Sequence, residues 1–312
     1  MEYNNTGSGG SGNSTSVSRS ETGKRNVIME FRREGAIKGQ PQTLTAGTDH
    51  PDYRIFRAEG LTGLPYTFTT AINPQIPGAS IDNRRAEARN INVELDCEHE
   101  LREHALSFFN PMYVMRLVCE WNGVKRWIAG YVKPVKVIAK NIFGKITLSI
   151  ELYCPDPYWN DMSNYGKDIT FRKALLAFPF VMLPDRGLVA SYRIAGNTIT
   201  VQNTGDVAVP IRVVFKAQGD IANPRITLTD AQNTTRFIQI NTPMKRGDTL
   251  DISTDPRNIY VKLNGQSVLN KSDRLSTFFQ LPVGTSLFSY EAGQEFDSVS
   301  VVVYFTPQYL GV

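Results

Sequence analysis

The sequence predicts an all-β protein with one α-helix in its first domain: two β-sandwich domains, the second jelly-roll or galectin-like. Three observations lead there. Apolar residues recur at every second position, as in 88–97, where Ile91, Val93, Leu95 and Cys97 share one face. Gly, Asn and Asp punctuate these runs at intervals of roughly 8–12 residues, the rhythm of an antiparallel sandwich. One alternating strand, Ile150–Cys154, stops at Pro155-Asp156-Pro157-Tyr158-Trp159, where two prolines cannot donate to a ladder and two large aromatics follow. That stop separates two unlike halves and makes Pro155, Pro157, Tyr158 and Trp159 the expected domain junction, a packed corner fixing the angle between domains.

The expected organisation is a flexible arm over 1–24, a first domain over 25–160, a connector over 161–190 and a second domain over 191–312. The arm is almost entirely Gly, Ser, Thr and Asn, the composition of a coil or of a segment that orders only on a neighbouring subunit. Strands are expected at 26–32, 66–69 and 88–97. Between 98 and 109, Leu101, Ala105, Phe108 and Phe109 recur at spacings of three and four, which predicts a helix capped by Asp96 and stopped before Pro111. A strand over 113–121 reaches Asn122-Gly123, a two-residue hairpin signal, and returns over 124–136; 145–153 closes the sheet. The second half reads as strands at 198–202, 209–215, 225–228, 237–241, 249–253, 260–263 and 298–304. Asn203-Thr204-Gly205-Asp206, Gly247-Asp248 and Asn264-Gly265 mark turns between them.

The chain has 312 residues, enough for two cores, and a net charge of +4 on 34 basic and 30 acidic side chains. Both halves carry only a small positive excess, so there is no global footprint for nucleic acid and no specific nucleic-acid binding is expected. Three cysteines, Cys97, Cys119 and Cys154, are too few for a disulfide framework and fit folding in a reducing cytoplasm. No apolar run approaches the roughly 20 residues of a membrane span, so no membrane partner is expected.

The residues argue against chemistry. Cys97, His99 and His104 are the nearest approach to a zinc set, but no paired cysteines fix a tetrahedron, and a buried thiol with two surface histidines is the simpler reading. The carboxylates Glu94, Asp96, Glu98, Glu100 and Glu103 run along a strand end and a helix start, where acids suit the helix dipole. No nucleophile elbow, phosphate loop or zincin motif occurs. No enzyme, metal or cofactor is expected. Between 112 and 147, however, seven basic side chains meet a single acidic one. Lys125, Arg126, Lys133 and Lys136 on that hairpin are the expected contacts to partner subunits.

Taken in order, 86–89, the Cys154-Pro155-Asp156-Pro157-Tyr158-Trp159 stop, 199–210, 247–254, 261–265, 279–284 and 301–305 resemble the distal tail protein (Dit) family of long-tailed phages, the siphophage tail components, over about residues 26–312. The resemblance implies a homo-hexameric ring of first domains at the end of the tail tube. A tail hub or tail-associated lysin docks below it, and second domains point outward to receptor-binding proteins or host wall glycan. It implies a virion protein of the tail tip or baseplate, assembled in the bacterial host cytoplasm. Two alternatives stay open: a carbohydrate-binding adhesion module of the tail, and a baseplate component of a contractile tail-like particle.

Overall fold

The alternating runs pair into sheets around two separate cores in the computed structural model, which describes residues 27–34, 43–71, 78–138, 144–162, 165–168, 172–174, 191–193, 198–291 and 299–312. The arm expected over 1–24 lies outside the described residues, as does most of the connector expected over 161–190.

The first unit comprises β1 (Val27–Glu34), β2 (Thr43–Gly47), β3 (Arg54–Glu59), β4 (Tyr66–Ala71), β5 (Ser80–Ala86), β6 (Arg89–Cys97), helix α1 (Arg102–Phe108), β7 (Val114–Trp121), β8 (Val124–Val132), β9 (Lys136–Ile138), β10 (Ile146–Cys154) and β11 (Trp159–Asp161). Strand β1 shows the pattern at work: Val27, Met29, Phe31 and Arg33 are buried, and the residues between them are half-buried or exposed. One sheet runs β11-β8-β7-β1-β2-β3-β6-β10-β9, and Leu152↔Val132 and Tyr153↔Tyr131 pair β10 back onto β8. The sheet therefore rolls up and encloses its own core. Closure brings backbones close at Gly130, where a Cβ would sit 2.4 Å from the Tyr153 carbonyl oxygen and 2.9 Å from Cys154 Sγ. Only glycine fits there.

The β7–β8 hairpin turns at Asn122-Gly123 with φ of +49° and +82°, the mirror-image turn that matches strand twist. Two expectations need correction. The strand expected over 124–136 ends at Val132: Lys133 still donates its N–H to Glu151 O at 2.8 Å, but Pro134 has no N–H, and pairing resumes only in β9. The helix is shorter than expected, a 3-10 turn (His99–Leu101) leading into α1. Asp96 does not cap it, because that residue lies inside β6 and accepts a hydrogen bond from Thr147 Oγ1 at 2.6 Å. Ala105 and Phe108 still face the core, and Phe31, Phe108 and Phe109 pack edge to face.

The second unit contains β12 (Tyr165–Asp168), β13 (Arg172–Ala174), β14 (Ser191–Arg193), β15 (Thr198–Asn203), β16 (Arg212–Ala217), β17 (Ile221–Ala222), β18 (Arg225–Thr229), β19 (Thr235–Gln239), β20 (Pro243–Met244), β21 (Thr249–Ser253), β22 (Tyr260–Leu263), β23 (Gln266–Ser267), β24 (Gly284–Glu291), β25 (Val299–Phe305) and β26 (Gln308–Tyr309). A sheet β12-β25-β16-β21-β22-β23 and a sheet β15-β24-β18-β19 enclose a second core that includes Phe215, Leu250, Phe288 and Val301. This is the two-sheet sandwich expected of an all-β domain. Strand β24 has a blurred alternation: Ser286 points inward beside Phe288 and Tyr290, while Leu287 points out. Strand β26 belongs to neither sheet of the second unit. It crosses back and pairs with β11, extending the first unit's sheet.

Candidate assembly surfaces

The junction is built from the stop after β10. Trp159 is fully buried in the first core and donates its indole N–H to Leu61 O at 3.1 Å. Its strand β11 lies between β8 and β26, with Asn160 opposite Trp127 on one side and opposite Gln308 on the other. Pro157 is buried and exposes only its carbonyl to a partner: Arg89 Nε donates to it at 2.7 Å. Tyr158 is half-buried, and burial and its neighbour Tyr66 raise its phenol pKa. Pro155 is exposed. Asp156 reaches the second unit, where Arg257 Nη2 donates to its carboxylate at 2.8 Å. Three of the four expected junction side chains therefore pack at the corner, and Asp156 between them carries an interdomain ion pair.

Arg89, the first inward residue of β6, holds this corner together. Its guanidinium also donates to Gly60 O at 2.7 Å and Leu310 O at 2.6 Å, joining three distant segments of chain. Burial lowers its pKa, yet three charge-assisted bonds to carbonyls satisfy the buried cation. Sequence reasoning did not single out its side chain. The available signal was a lone charge on an otherwise apolar face, Arg89-x-Ile91-x-Val93.

The C-terminal residues form a strap across the junction. Pro307 O accepts from Asp161 N at 3.0 Å, Gln308 Nε2 donates to Asn160 Oδ1 at 3.1 Å, and Val312 N donates to Leu61 O at 3.2 Å. The turn Asn203-Thr204-Gly205-Asp206 is its seat on the second unit. Asn203 Oδ1 accepts from Gly205 N, Asp206 N donates to Gln308 O at 2.8 Å, and Asp206 Oδ2 accepts from Leu310 N at 3.0 Å. A Cβ on Gly205 would lie 2.5 Å from Gln308 O. The glycine is there because the strap passes against it.

The basic hairpin divides among several roles. Arg126 stacks over the Tyr309 ring at 3.6 Å and donates to Gly311 O, so its side chain belongs to the strap. Lys125 pairs with Glu120 at 3.0 Å and Lys133 with Glu151, while Lys145 reaches Glu98 at 3.4 Å. Lys136 is exposed on β9, whose three residues all face solvent. Part of the local charge excess counted along the sequence is offset by acids outside that window, Glu34 beside Arg116, Glu151 beside Lys133 and Glu98 beside Lys145.

The arm formed by β4 and β5 is unlike everything else. All of β4 and all of β5 except Ala86 are exposed. Tyr66 and Phe68 stack at 6.1 Å, Phe68 is 54% exposed and Ile81 is 61% exposed. Among the described residues the ribbon is a sheet of its own, and a two-stranded ribbon is marginal alone.

The three thiols lie inside the first unit. Burial pushes Cys119 and Cys154 up to about 12 and also raises Cys97, so all three stay protonated near neutrality. His104 Nδ1 is 2.8 Å from the Tyr53 hydroxyl. Among the described residues, no group of three His, Cys, Asp or Glu is placed to hold a metal.

Residues 204–309 match the family of siphovirus-type tail components, C-terminal domain. That span begins in the turn that seats the strap and ends at Tyr309 within it. Among solved structures, the chain is similar in fold to the Dit protein of phage SPP1, described as a paradigm of the hub adsorption apparatus in phages infecting Gram-positive bacteria. The two share 14% identity at a TM-score of 0.64, over 90% of this chain and 99% of that one. A chain of the phage P2 baseplate in its activated conformation with Ca aligns over 92% of this chain and 99% of its own, at 10% identity and a TM-score of 0.49. Among curated proteins, none matches the sequence. The resemblance to siphophage tail components is thus met in the second unit by sequence and over most of the chain by fold.

Proposed function

We propose that this chain is a non-enzymatic structural component of a phage tail tip or baseplate, and that its first domain forms a homo-hexameric ring joining the tail tube to the hub and adsorption apparatus. The observation that carries the reading is the tail-component match over residues 204–309, within a chain whose fold follows SPP1 Dit over 90% of its length. On this reading the tube lies above the ring, a hub or tail-associated lysin below it, and the second domains face the receptor-binding apparatus. The protein belongs to the virion and is assembled in the host cytoplasm.

A closed ring needs two different patches on each subunit. The projecting β4–β5 arm supplies one, with its exposed Tyr66, Phe68 and Ile81. The free edge of β9 and the exposed faces of Lys125, Lys133 and Lys136 supply the other, through main-chain pairing and charge. The strap and the Arg89 corner hold the second domain at one angle, so that six copies present their second domains in the same way. Light scattering over a range of protein and salt concentrations tests the ring: a hexamer, or a monomer converting to one, is expected. A monomer under all conditions, with purified tube and hub proteins added, would defeat it.

A further inference from the structure

A cleft of about 690 Å³ lies between the two units, beside the strap and apart from the arm and the β9 edge. Its volume is within the range of small-molecule sites, roughly 300–1,000 Å³. Trp127 and Asp156 line it from the first unit; Arg212, Asp255, Arg257 and Tyr304 line it from the second. We propose that this cleft is a binding site for a neutral saccharide.

Two features select that chemistry. The first is electrostatic. Both guanidinia are paired with carboxylates of the same chain: Arg212 makes two bonds to Asp251, at 2.9 and 2.7 Å, and Arg257 bonds Asp156 at 2.8 Å and Asp255 at 3.4 Å. An anion gains little from cations so engaged. Each guanidinium has five N–H donors and each carboxylate about four acceptor sites, so donors and acceptors remain in fixed directions after the internal pairs are made. A polyhydroxylated ring offers both and adds no charge.

The second feature is aromatic. Tyr304 is 41% exposed, on the outer face of β25. Pairing across β25, β16 and β21 puts Tyr304, Arg212 and Ser253 in one row. Trp127 is fixed by its indole N–H, donated to Asp161 O at 2.9 Å, and by Arg116 over its ring at 4.3 Å. Rigid rings beside pre-paired polar groups suit the apolar face and hydroxyl edge of a sugar, since little side-chain freedom is lost on binding. The ion pair of Asp156 and Arg257 spans the two units, so the site exists only while the strap keeps them together.

The inference goes beyond the ring reading and does not depend on it. Its test uses the full-length protein with neutral di- to tetrasaccharides of hexose and N-acetylhexosamine units, their phosphate-bearing counterparts, and a neutral wall polysaccharide. Binding is read by saturation-transfer NMR and titration calorimetry. Neutral ligands are expected to bind with dissociation constants on the order of 1 mM. Tyr304→Leu is expected to weaken them about fivefold to tenfold, and Tyr304→Phe to retain them, with melting temperatures confirming the fold. Tighter binding by the polymer than by its oligosaccharides makes the occupant a wall glycan and not a free sugar. Three results overturn the proposal: no neutral ligand binds, only phosphate-bearing ones bind, or Tyr304→Leu binds as the parent does. Light scattering on the same preparations reads the ring separately, so either idea can fail alone.

Discussion

The strap and the β4–β5 arm are both short β elements of the first unit, one extending its sheet and the other a ribbon of its own, and they have opposite surfaces. In the strap, Gln308 is buried, the backbone pairs with β11, with Asp206 and with Leu61, and Arg89 and Arg126 take up the Leu310 and Gly311 carbonyls. In the arm, among the described residues, the two strands pair only with each other; Phe68 and Ile81 are left mostly in solvent, while Tyr66 reaches Tyr158 at the corner. The difference teaches which surface is finished and which is waiting. A segment whose polar groups are satisfied and whose apolar atoms are covered is part of the fold. A ribbon with exposed aromatics is stable only where a second surface covers them.

Removing residues 306–312 should sharpen this contrast most. It deletes β26 and leaves Arg89, Arg126 and Asp206 without their strap partners, so the two units should swing apart in small-angle scattering, and the melting transition should split or fall. An unchanged envelope would show that the strap follows the domain angle and does not set it. Trp159→Ala comes next, with a loss of about 3–5 kcal/mol for emptying a fully buried aromatic site, read by denaturant unfolding. Arg89→Met keeps the length of the side chain and strands three carbonyls. Roughly 2–4 kcal/mol should be lost, and a near-neutral result would mean that water replaces the guanidinium.

The arm should behave in the opposite way. Phe68→Ser with Ile81→Ser should change stability by less than about 0.5–1 kcal/mol, since both side chains are more than half exposed, while assembly should be lost or weakened more than tenfold in light scattering. If the doublet melts early or assembles normally, the arm is not the waiting surface. The smallest effect is expected from pH. Cys119 and Cys154, raised from 9.0 to about 12 by burial, keep their protons in the fold after the unfolded chain has begun to lose them. Their contribution is therefore complete below pH 9 and declines as pH rises from 9 towards 12. Melting temperature should be flat through neutrality and fall in that alkaline window, and Cys119→Ala with Cys154→Ala should shallow the fall.

Much of the fold was legible because the governing interactions are local. The face of β6, the Asn122-Gly123 and Asn264-Gly265 turns and the stop at Pro155–Trp159 all follow from residues a few positions apart. Strand β24 was harder to read because Ser286 occupies an inward position and Leu287 an outward one, which breaks the apolar rhythm. Asp96 looked like a cap because the chain turns helical soon after it, but the ladder between β6 and β10 holds it and pairs it with Thr147. The basic hairpin misled for a related reason: a window along the chain counts Lys133 and Lys145 but not Glu151 on the facing strand or Glu98 on the neighbouring segment.

The sequence by itself determined the secondary-structure class and the turn chemistry, since period, proline and glycine act within a few bonds. Only the tertiary structure decided that β10 closes on β8, that the last residues return to the first sheet, and that Arg89 and Gly205 serve that return. Those contacts join residues far apart along the chain, such as Arg89 and Leu310, separated by 221 positions. Nothing in the local pattern around one end of such a pair specifies the other, because the partner is chosen by how two cores pack and not by neighbours in sequence.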